Sequence, residues 1–413
     1  MPHHTELDQE IPTMSREFRF RDIALPAYGP TLVNSLGHGA MMPVLALRAR
    51  ELGASVAVAA LIVALISVGM LIGSLPAAAV IARIGERRAL LVAGVLDAGA
   101  MAAAAITPTV FWLATAVIAS GMMWTVFLIA RQGFMIDAVP FSLRARALSL
   151  LGGAHRVGLF GGPLIGAGLI QIDGIRSVFL MAAALSLVAA ALAFTMPDLG
   201  SEQRLTARAE GHTPVLRVLW QHRTDMVTIG GSLAILGASR SIRTALLPLW
   251  AEHVGISAST TSLIFAVASG VELLLVYPGG WLMDRRGRTV SAVPVAASAA
   301  VACLILPFAH TAVTVTLVMV LLAAGNGLGS GVAMTMGADA APAASRAQFL
   351  GGMRLSGDVG MAGSPLLLSA LAAVVSLGGA AVILGGLGVV GTAWVAYWTT
   401  RLDRRLGFRG RAG

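Results

Sequence analysis

Six of the charged side chains that lie inside long apolar stretches of this 413-residue sequence are the first candidates for function, because a charge there is costly unless it is paired or hydrated. They are Arg156, Arg240, Arg243, Glu272, Arg354 and Asp358. A carboxylate in such a position can take up and release a proton, and a guanidinium can clamp an anionic ligand. These residue types therefore predict a hydrated pathway through an otherwise apolar protein.

The two acids are the candidates for a proton-coupling site. Asp358 lies about 14 Å into its apolar segment at ~1.5 Å per helical residue, and Arg354 lies one turn away on the same helix face. We expect Asp358 to carry the proton, because burial and the neighbouring guanidinium act on its ionisation in opposite directions and their balance can change. Glu272 is the second candidate. A static ion pair between Arg354 and Asp358 is the alternative.

The cations outnumber the acids by four to two in this set, so a cavity between them should prefer anionic or zwitterionic ligands. We expect that cavity to contain Asn34, His38, Trp124, Arg156, Arg240, Arg243, Asn326 and Arg354. For His38, a hydrogen-bonded packing role is the alternative. Asp97 falls in a peripheral third helix, where a structural hydrogen bond is the expectation.

The elements that position these residues occur twice, because one offset of 202 residues aligns the two halves of the chain without a gap. It aligns Gly85 with Gly287, Asp137 with Asp339, Gly158 with Gly360, Pro163 with Pro365, His38 with Arg240, and Arg156 with Asp358. Internal duplication in a very apolar chain is typical of secondary transporters, whose site lies where the halves meet.

The composition agrees with a membrane protein, since 57% of residues are apolar and 12% are charged. Twelve apolar stretches of ~20 residues or more are long enough to span a bilayer. We therefore predict an all-α membrane protein with twelve transmembrane helices in two pseudo-symmetric six-helix bundles. The predicted parts are an N-terminal segment (1–22), a first bundle (23–196), a linker (197–225), a second bundle (226–400) and a basic tail (401–413).

The arginines gather in alternate loops and in both terminal segments, which predicts that both termini are cytoplasmic in a multi-pass protein of the plasma (inner) membrane. The net charge of +9 is spread over many short loops, so a nucleic-acid partner is not expected. The polar first residues do not resemble a cleavable signal peptide. A single cysteine, Cys303, excludes disulfides and cysteine-based metal sites, and we expect neither metal nor cofactor.

One loop carries a recognisable motif, Gly280-x-x-x-Asp284-Arg285-x-Gly287-Arg288. It resembles the signature loop that follows the second helix of a half in the major facilitator superfamily. The copy in the first half is degenerate, with Ala82 in place of the aspartate. The resemblance implies a conformational latch of ion pairs that join Arg288 to Asp339 and Arg87 to Asp137. Topogenic charge in solvated loops is the alternative.

The fifth helix holds Gly158, Gly162, Pro163 and Gly166, which resembles the family's Gly-x-x-x-Gly-Pro-x-x-Gly motif. That motif is associated with exporters that exchange substrate for protons, as in the bacterial drug and metabolite exporters. Generic helix packing gives the same pattern. Arg131-Gln132-Gly133 has the wrong spacing for another family motif and is assigned no role.

The leading hypothesis is a monomeric, proton-coupled exporter of small organic molecules that works by alternating access, an antiporter of the kind that confers multidrug resistance by efflux. Its partners would be a small-molecule substrate, protons and the lipid bilayer. An importer or uniporter of an organic anion is the alternative, and a membrane receptor or scaffold without transport is a third class. An enzyme is not expected, because the loops are short and contain no nucleophile–base or metal-ligand set.

Overall fold

The computed structural model describes residues 20–139, 143–196, 220–342 and 346–407, and in these ranges the chain forms helices and no strand. Twelve helices are distinguished there. They are α1 (Phe20–Met41, continued by Met42–Val44 and Leu45–Glu51), α2 (Val56–Ile84), α3 (Glu86–Ile106), α4 (Val110–Ala138), α5 and α6 (Arg144–Ala193, divided at Asp173 and Gly174), α7 (Arg223–Asp225, Met226–Gly230 and Gly231–His253), α8 (Ala258–Arg286), α9 (Thr289–Ile305, continued by Leu306–Phe308), α10 (Ala312–Leu328 and Val332–Ala340), α11 (Arg346–Ala372) and α12 (Leu377–Arg405).

Within the described residues, nine helices are long and apolar enough to cross a membrane by length and composition, with α5 and α6 counted as one. The two helices outside this set, α1 and α7, contain the polar residues His38, Arg240 and Arg243. Apolar character is therefore interrupted in the two helices that are equivalent under the repeat. The predicted all-helical membrane fold is confirmed.

Most of the predicted N-terminal segment and linker lies outside the described residues, as does the end of the basic tail. The helix α12 continues to Arg405, past the predicted start of the tail at 401. The other predicted boundaries stay predictions.

The duplication is visible in the packing of the helices. In the first half α1 contacts α5, α2 contacts α4 and α3 contacts α6, and the second half repeats this as α7 with α11, α8 with α10 and α9 with α12. The halves join through two equivalent pairs, α2 with α11 and α5 with α8. The structure is therefore two similar bundles related by a pseudo-twofold axis.

Turns at equivalent positions have the same backbone geometry. Gly85 and Gly287 both have a positive φ at the end of a helix, with values of 85° and 94°. The equivalent pair Ser55 and Ser257 cap α2 and α8, each accepting a hydrogen bond from the backbone N–H three residues later. Equivalent helices of the two halves therefore begin and end at the same residue types.

The small residues of the fifth-helix motif lie directly against α1. A Cβ atom added to Gly158 would meet Ser35, and one added to Gly162 would overlap the carbonyl oxygen of Leu36 and the amide nitrogen of Ala40. Gly360 has the equivalent contact in the second half, with the backbone of Ala234. These glycines allow α1 and α5 to approach closely, as small residues do in membrane helices.

We expect Gly162→Val to lower the thermal stability of the detergent-solubilised protein, because the added side chain must push α1 away from α5. Overpacking of this kind costs about 1–3 kcal/mol. The matched control is Gly168→Val on the same helix, since a Cβ at Gly168 meets nothing within 4 Å. Equal melting temperatures for the two variants would show that the close approach at Gly162 does not stabilise the fold.

Candidate functional site

An ion triad joins the two halves near the middle of the bundle. The Oε2 atom of Glu272 on α8 accepts a hydrogen bond of 2.7 Å from Arg243 on α7. Its Oε1 atom lies 3.5 Å from a guanidinium nitrogen of Arg156 on α5, in the other half. One carboxylate therefore holds one arginine from each half.

A break in α10 supplies further acceptors to these arginines. Between Leu328 and Val332 the helix is interrupted, with Gly331 at a φ of 83°. The carbonyl oxygen of Gly329 accepts a 2.7 Å hydrogen bond from Arg240, and the hydroxyl of Ser330 accepts one from Arg156. Broken helices expose backbone acceptors in this way at transporter sites.

A cavity of about 250 Å³ opens beside the triad. Its lining consists of Gly152, His155, Arg156, Leu159, Arg243, Ser269, Glu272 and Leu273. Arg240 is bound next to it, through the Gly329 carbonyl oxygen of the α10 break that also binds Arg156. Two guanidinium groups thus share one carboxylate beside a small polar space, a third is bound to the neighbouring backbone, and the resulting positive potential attracts anions.

A second polar cluster is buried in the first half. The Asp97 carboxylate contacts His38 Nε2 at 3.0 Å and accepts hydrogen bonds from Ser120 and Ser186. The His38 ring packs edge to face on Trp124, and His155 bonds to the Ser35 hydroxyl at 2.7 Å. Asp97 thus links α3 to α1, α4 and α6, so it is a hydrogen-bonded group of the bundle interior, as expected.

The structure brings together only part of the predicted cavity set. Of that set, Arg156 and Arg243 line the 250 Å³ cavity, together with the proton-coupling candidate Glu272, and Arg240 binds the α10 break next to them. The other members that are buried from solvent are Asn34, His38, Trp124 and Asn326. A contact between these four and a substrate stays a prediction.

The predicted pair of Arg354 and Asp358 is loose in this structure. Its closest atoms, Arg354 Nε and Asp358 Oδ2, are 3.9 Å apart, and the Arg354 side chain is 53% exposed. The two residues occupy one helix, so the pair does not join the halves. The role of Asp358 as the proton carrier stays a prediction.

The halves also meet at one end of the molecule, called here the Arg50 end. The Nε atom of Arg50 lies 2.9 Å and 3.0 Å from the two carboxylate oxygens of Glu252, the residue equivalent to Arg50 under the 202 offset. A residue and its repeat equivalent can touch only near the pseudo-twofold axis. This ion pair therefore marks where the axis leaves the bundle.

Two further hydrogen bonds at the Arg50 end are related by the same axis. Ser369 donates to the carbonyl oxygen of Ala57 at 2.8 Å, and Ser259 donates to that of Ala167 at 2.9 Å. Ser259 is equivalent to Ala57, and Ser369 to Ala167. The two interfaces between halves therefore use the same pair of positions with donor and acceptor exchanged, and they close this end symmetrically.

We expect Arg50→Gln and Glu252→Gln each to loosen the Arg50 end, and the double charge swap Arg50→Glu/Glu252→Arg to restore it. Both side chains are about one-third exposed, at 33% and 34%, so the pair contributes only about 0.2–1 kcal/mol. The check is the thiol-labelling rate of a cysteine introduced at Ala57, since the native Cys303 is buried. A swap variant that labels faster than the single variants would contradict the pseudo-symmetric pairing.

The opposite end of α8, called here the Arg288 end, contains the predicted latch residues. Arg288 Nε donates to Asp339 Oδ2 at 2.8 Å, while the backbone N–H groups of Arg288 and Thr289 donate to Asp403. A Cβ on Gly287 would collide with the Asp403 carboxylate, so glycine is required there. The predicted Arg288–Asp339 pair is thus formed, inside the second half, and its role as a latch stays a prediction.

The other latch residues make fewer contacts. Asp284 is exposed, Arg285 lies over the Trp281 ring at 4.3 Å, and a Cβ on Gly280 would meet nothing within 4 Å. The predicted pair of Arg87 with Asp137 is not tested, because the Asp137 side chain lies outside the described part of the chain.

Several residues of these clusters were not singled out from sequence. His155 and Ser269 line the cavity, Ser330 binds Arg156, and Asp403 caps α9. The Arg50–Glu252 pair could have been predicted from the sequence, because the 202 offset aligns an arginine with a glutamate. The others carried no such signal, since they are ordinary polar residues whose position depends on tertiary packing.

Comparison with known proteins agrees with this architecture. The family model of the Major Facilitator Superfamily matches residues 31–231 and 229–407, one match for each half. The chain belongs to this superfamily of membrane transporters, and it is a transporter and not an enzyme. A comparison with curated proteins found no match.

Solved transporters share the fold at low sequence identity. A POT family transporter in complex with 5-aminolevulinic acid has a TM-score of 0.73 and 15% identity, with 92% of this chain and 96% of that chain covered. A D-xylose-proton symporter has a TM-score of 0.73 and 16% identity, covering 91% and 97%. The nucleoside transporter NupG, as its D323A mutant, has a TM-score of 0.74 and 12% identity, covering 91% and 99%. At these identities the likeness describes the fold alone.

Proposed function

We propose that this protein is a proton-coupled transporter of small organic anions or zwitterions, in which proton and substrate load together at the Glu272 triad. The observation that carries the proposal is one carboxylate shared by Arg156 and Arg243 across the two halves. While Glu272 is ionised it occupies both guanidinium groups. Protonation of Glu272 would release them to an anionic substrate.

This order of events favours transport of both species in the same direction. A proton and a cation would compete for one carboxylate, which gives exchange. A proton and an anion do not compete here, because protonation of Glu272 frees the guanidinium groups that the anion needs. The triad therefore supports symport, and it moves the preferred proton carrier from Asp358 to Glu272.

The cationic surroundings support the substrate class. Arg156 and Arg243 contact one acid and Arg240 binds a backbone carbonyl, so a bound anion would neutralise charge that these contacts leave uncompensated. One of the transporters with this fold is bound to 5-aminolevulinic acid, which carries a carboxylate and an amine. This parallel is consistent with an anionic or zwitterionic substrate.

Contacts at the Arg50 end support the proposal of alternating access. The Arg50 end is closed by hydrogen bonds between the halves. With the arginine-rich Arg288 end in the cytoplasm of a plasma (inner) membrane protein, this state is closed to the outside. Opening to the outside would break the Arg50–Glu252 pair. Alternating access would then require the two halves to close on each other at the Arg288 end.

A second candidate is proton-driven export by antiport. The observation that favours it is the close packing of Gly158 and Gly162 on α1, which matches the helix motif associated with exporters. Generic packing gives the same contacts, so the ion triad carries more weight.

The test is an uptake screen in proteoliposomes, with small carboxylates, amino acids and organic cations supplied with and without an imposed pH gradient. We expect inward proton gradients to accelerate the uptake of anionic or zwitterionic compounds. Uptake restricted to organic cations, or driven by an outward proton gradient, would favour the antiport candidate.

A further inference from the structure

His155 on α5 is a polar group of the central cavity that the proposed function does not use. Its ring lines the cavity next to Arg156, and its Nδ1 atom is bonded to the Ser35 hydroxyl at 2.7 Å. The ring also lies edge to face with Trp124, with the ring centroids 6.3 Å apart. Contacts from α1 and α4 therefore hold the ring, and its Nε2 atom has no hydrogen-bond partner among the described residues.

The repeat shows that the fold shared by the two halves does not need a polar residue at this position. Under the 202 offset, His155 is equivalent to Gly357 and Glu272 is equivalent to Met70. The helices nevertheless pack in the same pattern in both halves. A polar side chain inside the membrane that the shared fold does not require is a candidate for contact with a ligand.

The cavity offers two kinds of binding group. Arg156 and Arg243 form its cationic side, whereas His155 and the Ser269 hydroxyl are hydrogen-bonding groups without a fixed charge. Glu272 is the one acid among the described residues that line the cavity. Once Glu272 is protonated, as the proposed function requires, this lining has no carboxylate left for an ammonium group.

The size of the cavity limits the ligand to a small molecule. Its volume of about 250 Å³ is that of about eight water molecules, at about 30 Å³ each in the liquid. Leu159 and Leu273 add apolar surface to the lining. A short carbon chain with one anionic group and one hydroxyl group matches both the volume and the chemistry of this space.

We propose that the substrate is a small hydroxy acid, whose carboxylate is bound by Arg156 and Arg243 and whose hydroxyl is bound by Nε2 of His155. This inference rests on the proposed function, because Glu272 must be protonated before its two arginines can bind the carboxylate. A hydroxyl can donate or accept a hydrogen bond, so it suits either tautomer of the ring. An acid without the hydroxyl would leave the Nε2 atom unpaired, and an amino acid would bring its ammonium group close to the arginines.

The experiment measures binding of matched carboxylates to the full-length, detergent-solubilised protein by titration calorimetry. Each acid from acetate to butyrate is compared with its hydroxy-substituted and its amino-substituted form, for example propionate with lactate and alanine. For at least one chain length we expect the hydroxy acid to bind about tenfold or more tightly than both other compounds.

Two substitutions of His155 separate a binding role from a structural one. The asparagine amide can replace Nδ1 in the bond to Ser35 but does not reach the position of Nε2, whereas the glutamine amide reaches Nε2 and gives up the Ser35 bond. His155→Asn should therefore reduce hydroxy-acid affinity to that of the unsubstituted acid. His155→Gln should keep most of the preference and melt at a lower temperature than His155→Asn. The control His310→Asn should keep the preference, because His310 is exposed and lies outside the cavity lining.

The outcomes distinguish this inference from the proposed function. If the wild type binds hydroxy and unsubstituted acids equally, or if His155→Asn keeps the preference, the hydroxy-acid inference is wrong while the anion transporter stands. Tighter binding of the amino acid would also overturn the inference and would leave a zwitterion as the substrate. Loss of the preference in His155→Gln would contradict the assignment of the hydroxyl to Nε2. If the wild type binds none of these compounds, the proposed function fails and the inference fails with it.

Discussion

Glu272→Gln is expected to abolish the ability of a pH gradient to accumulate substrate, while substrate binding and downhill exchange are retained. The amide has the shape of a protonated carboxyl group and carries no charge, so Arg156 and Arg243 would remain free for the substrate. For one coupled proton, each pH unit of gradient corresponds to about 1.4 kcal/mol, or about tenfold accumulation. Proteoliposomes with an inward gradient should show this accumulation for the wild type and none for Glu272→Gln.

Asp358→Asn is the matched control for that result. It removes one carboxylate of the same half, but from a pair of residues on one helix whose closest atoms are 3.9 Å apart. We expect this variant to keep gradient-driven accumulation. If Asp358→Asn loses it and Glu272→Gln keeps it, Asp358 is the proton carrier and the triad is structural.

Arg243→Gln is expected to have the largest effect on substrate affinity. Arg243 makes the short 2.7 Å contact with Glu272, and its side chain is only 18% exposed. Truncating one member of such a charge pair costs about 2–5 kcal/mol, and partial access to water places this case near 2 kcal/mol, or about thirtyfold in Kd. The measurement is substrate affinity by titration calorimetry at a pH where the wild type binds well.

A double variant separates the loss of a substrate ligand from a general loss of stability. Arg243→Gln alone leaves Glu272 with the longer Arg156 contact, so the variant should also melt earlier. Arg243→Gln/Glu272→Gln removes both charges of the pair, and we expect it to recover thermal stability but not affinity. Recovery of affinity in the double variant would show that Arg243 only positions Glu272.

The sequence predicts the repeated architecture well, because the features that define it are local. Glycines that end helices, serines that begin them and small residues at close helix contacts recur at the 202 offset, as Gly85 with Gly287 and Ser55 with Ser257 show. Each has a backbone or packing reason that does not depend on distant partners. The offset alone therefore places both bundles and their pseudo-twofold axis.

Side-chain partners depend on how helices rotate and pack, and they were harder to predict. Arg354 and Asp358 are only four residues apart in the sequence, but their closest atoms are 3.9 Å apart in the structure. Arg156 instead pairs with Glu272, which lies 116 residues further along the chain. The break in α10 that offers Gly329 and Ser330 to the arginines has no signal beyond its glycines. Predicted groups such as His38 turn into the bundle interior, where Asp97 is the partner.

The most direct test of co-loading at Glu272 is the direction of proton movement during substrate flux. Proteoliposomes that contain a trapped pH-sensitive dye are given an inward gradient of a transported anion at equal pH on both sides, with the membrane potential clamped. Co-loading predicts that the lumen acidifies as substrate enters, and that Glu272→Gln shows no acidification at a similar rate of substrate entry. Alkalinisation of the lumen would mean antiport, and an unchanged lumenal pH would mean uniport; either result contradicts it.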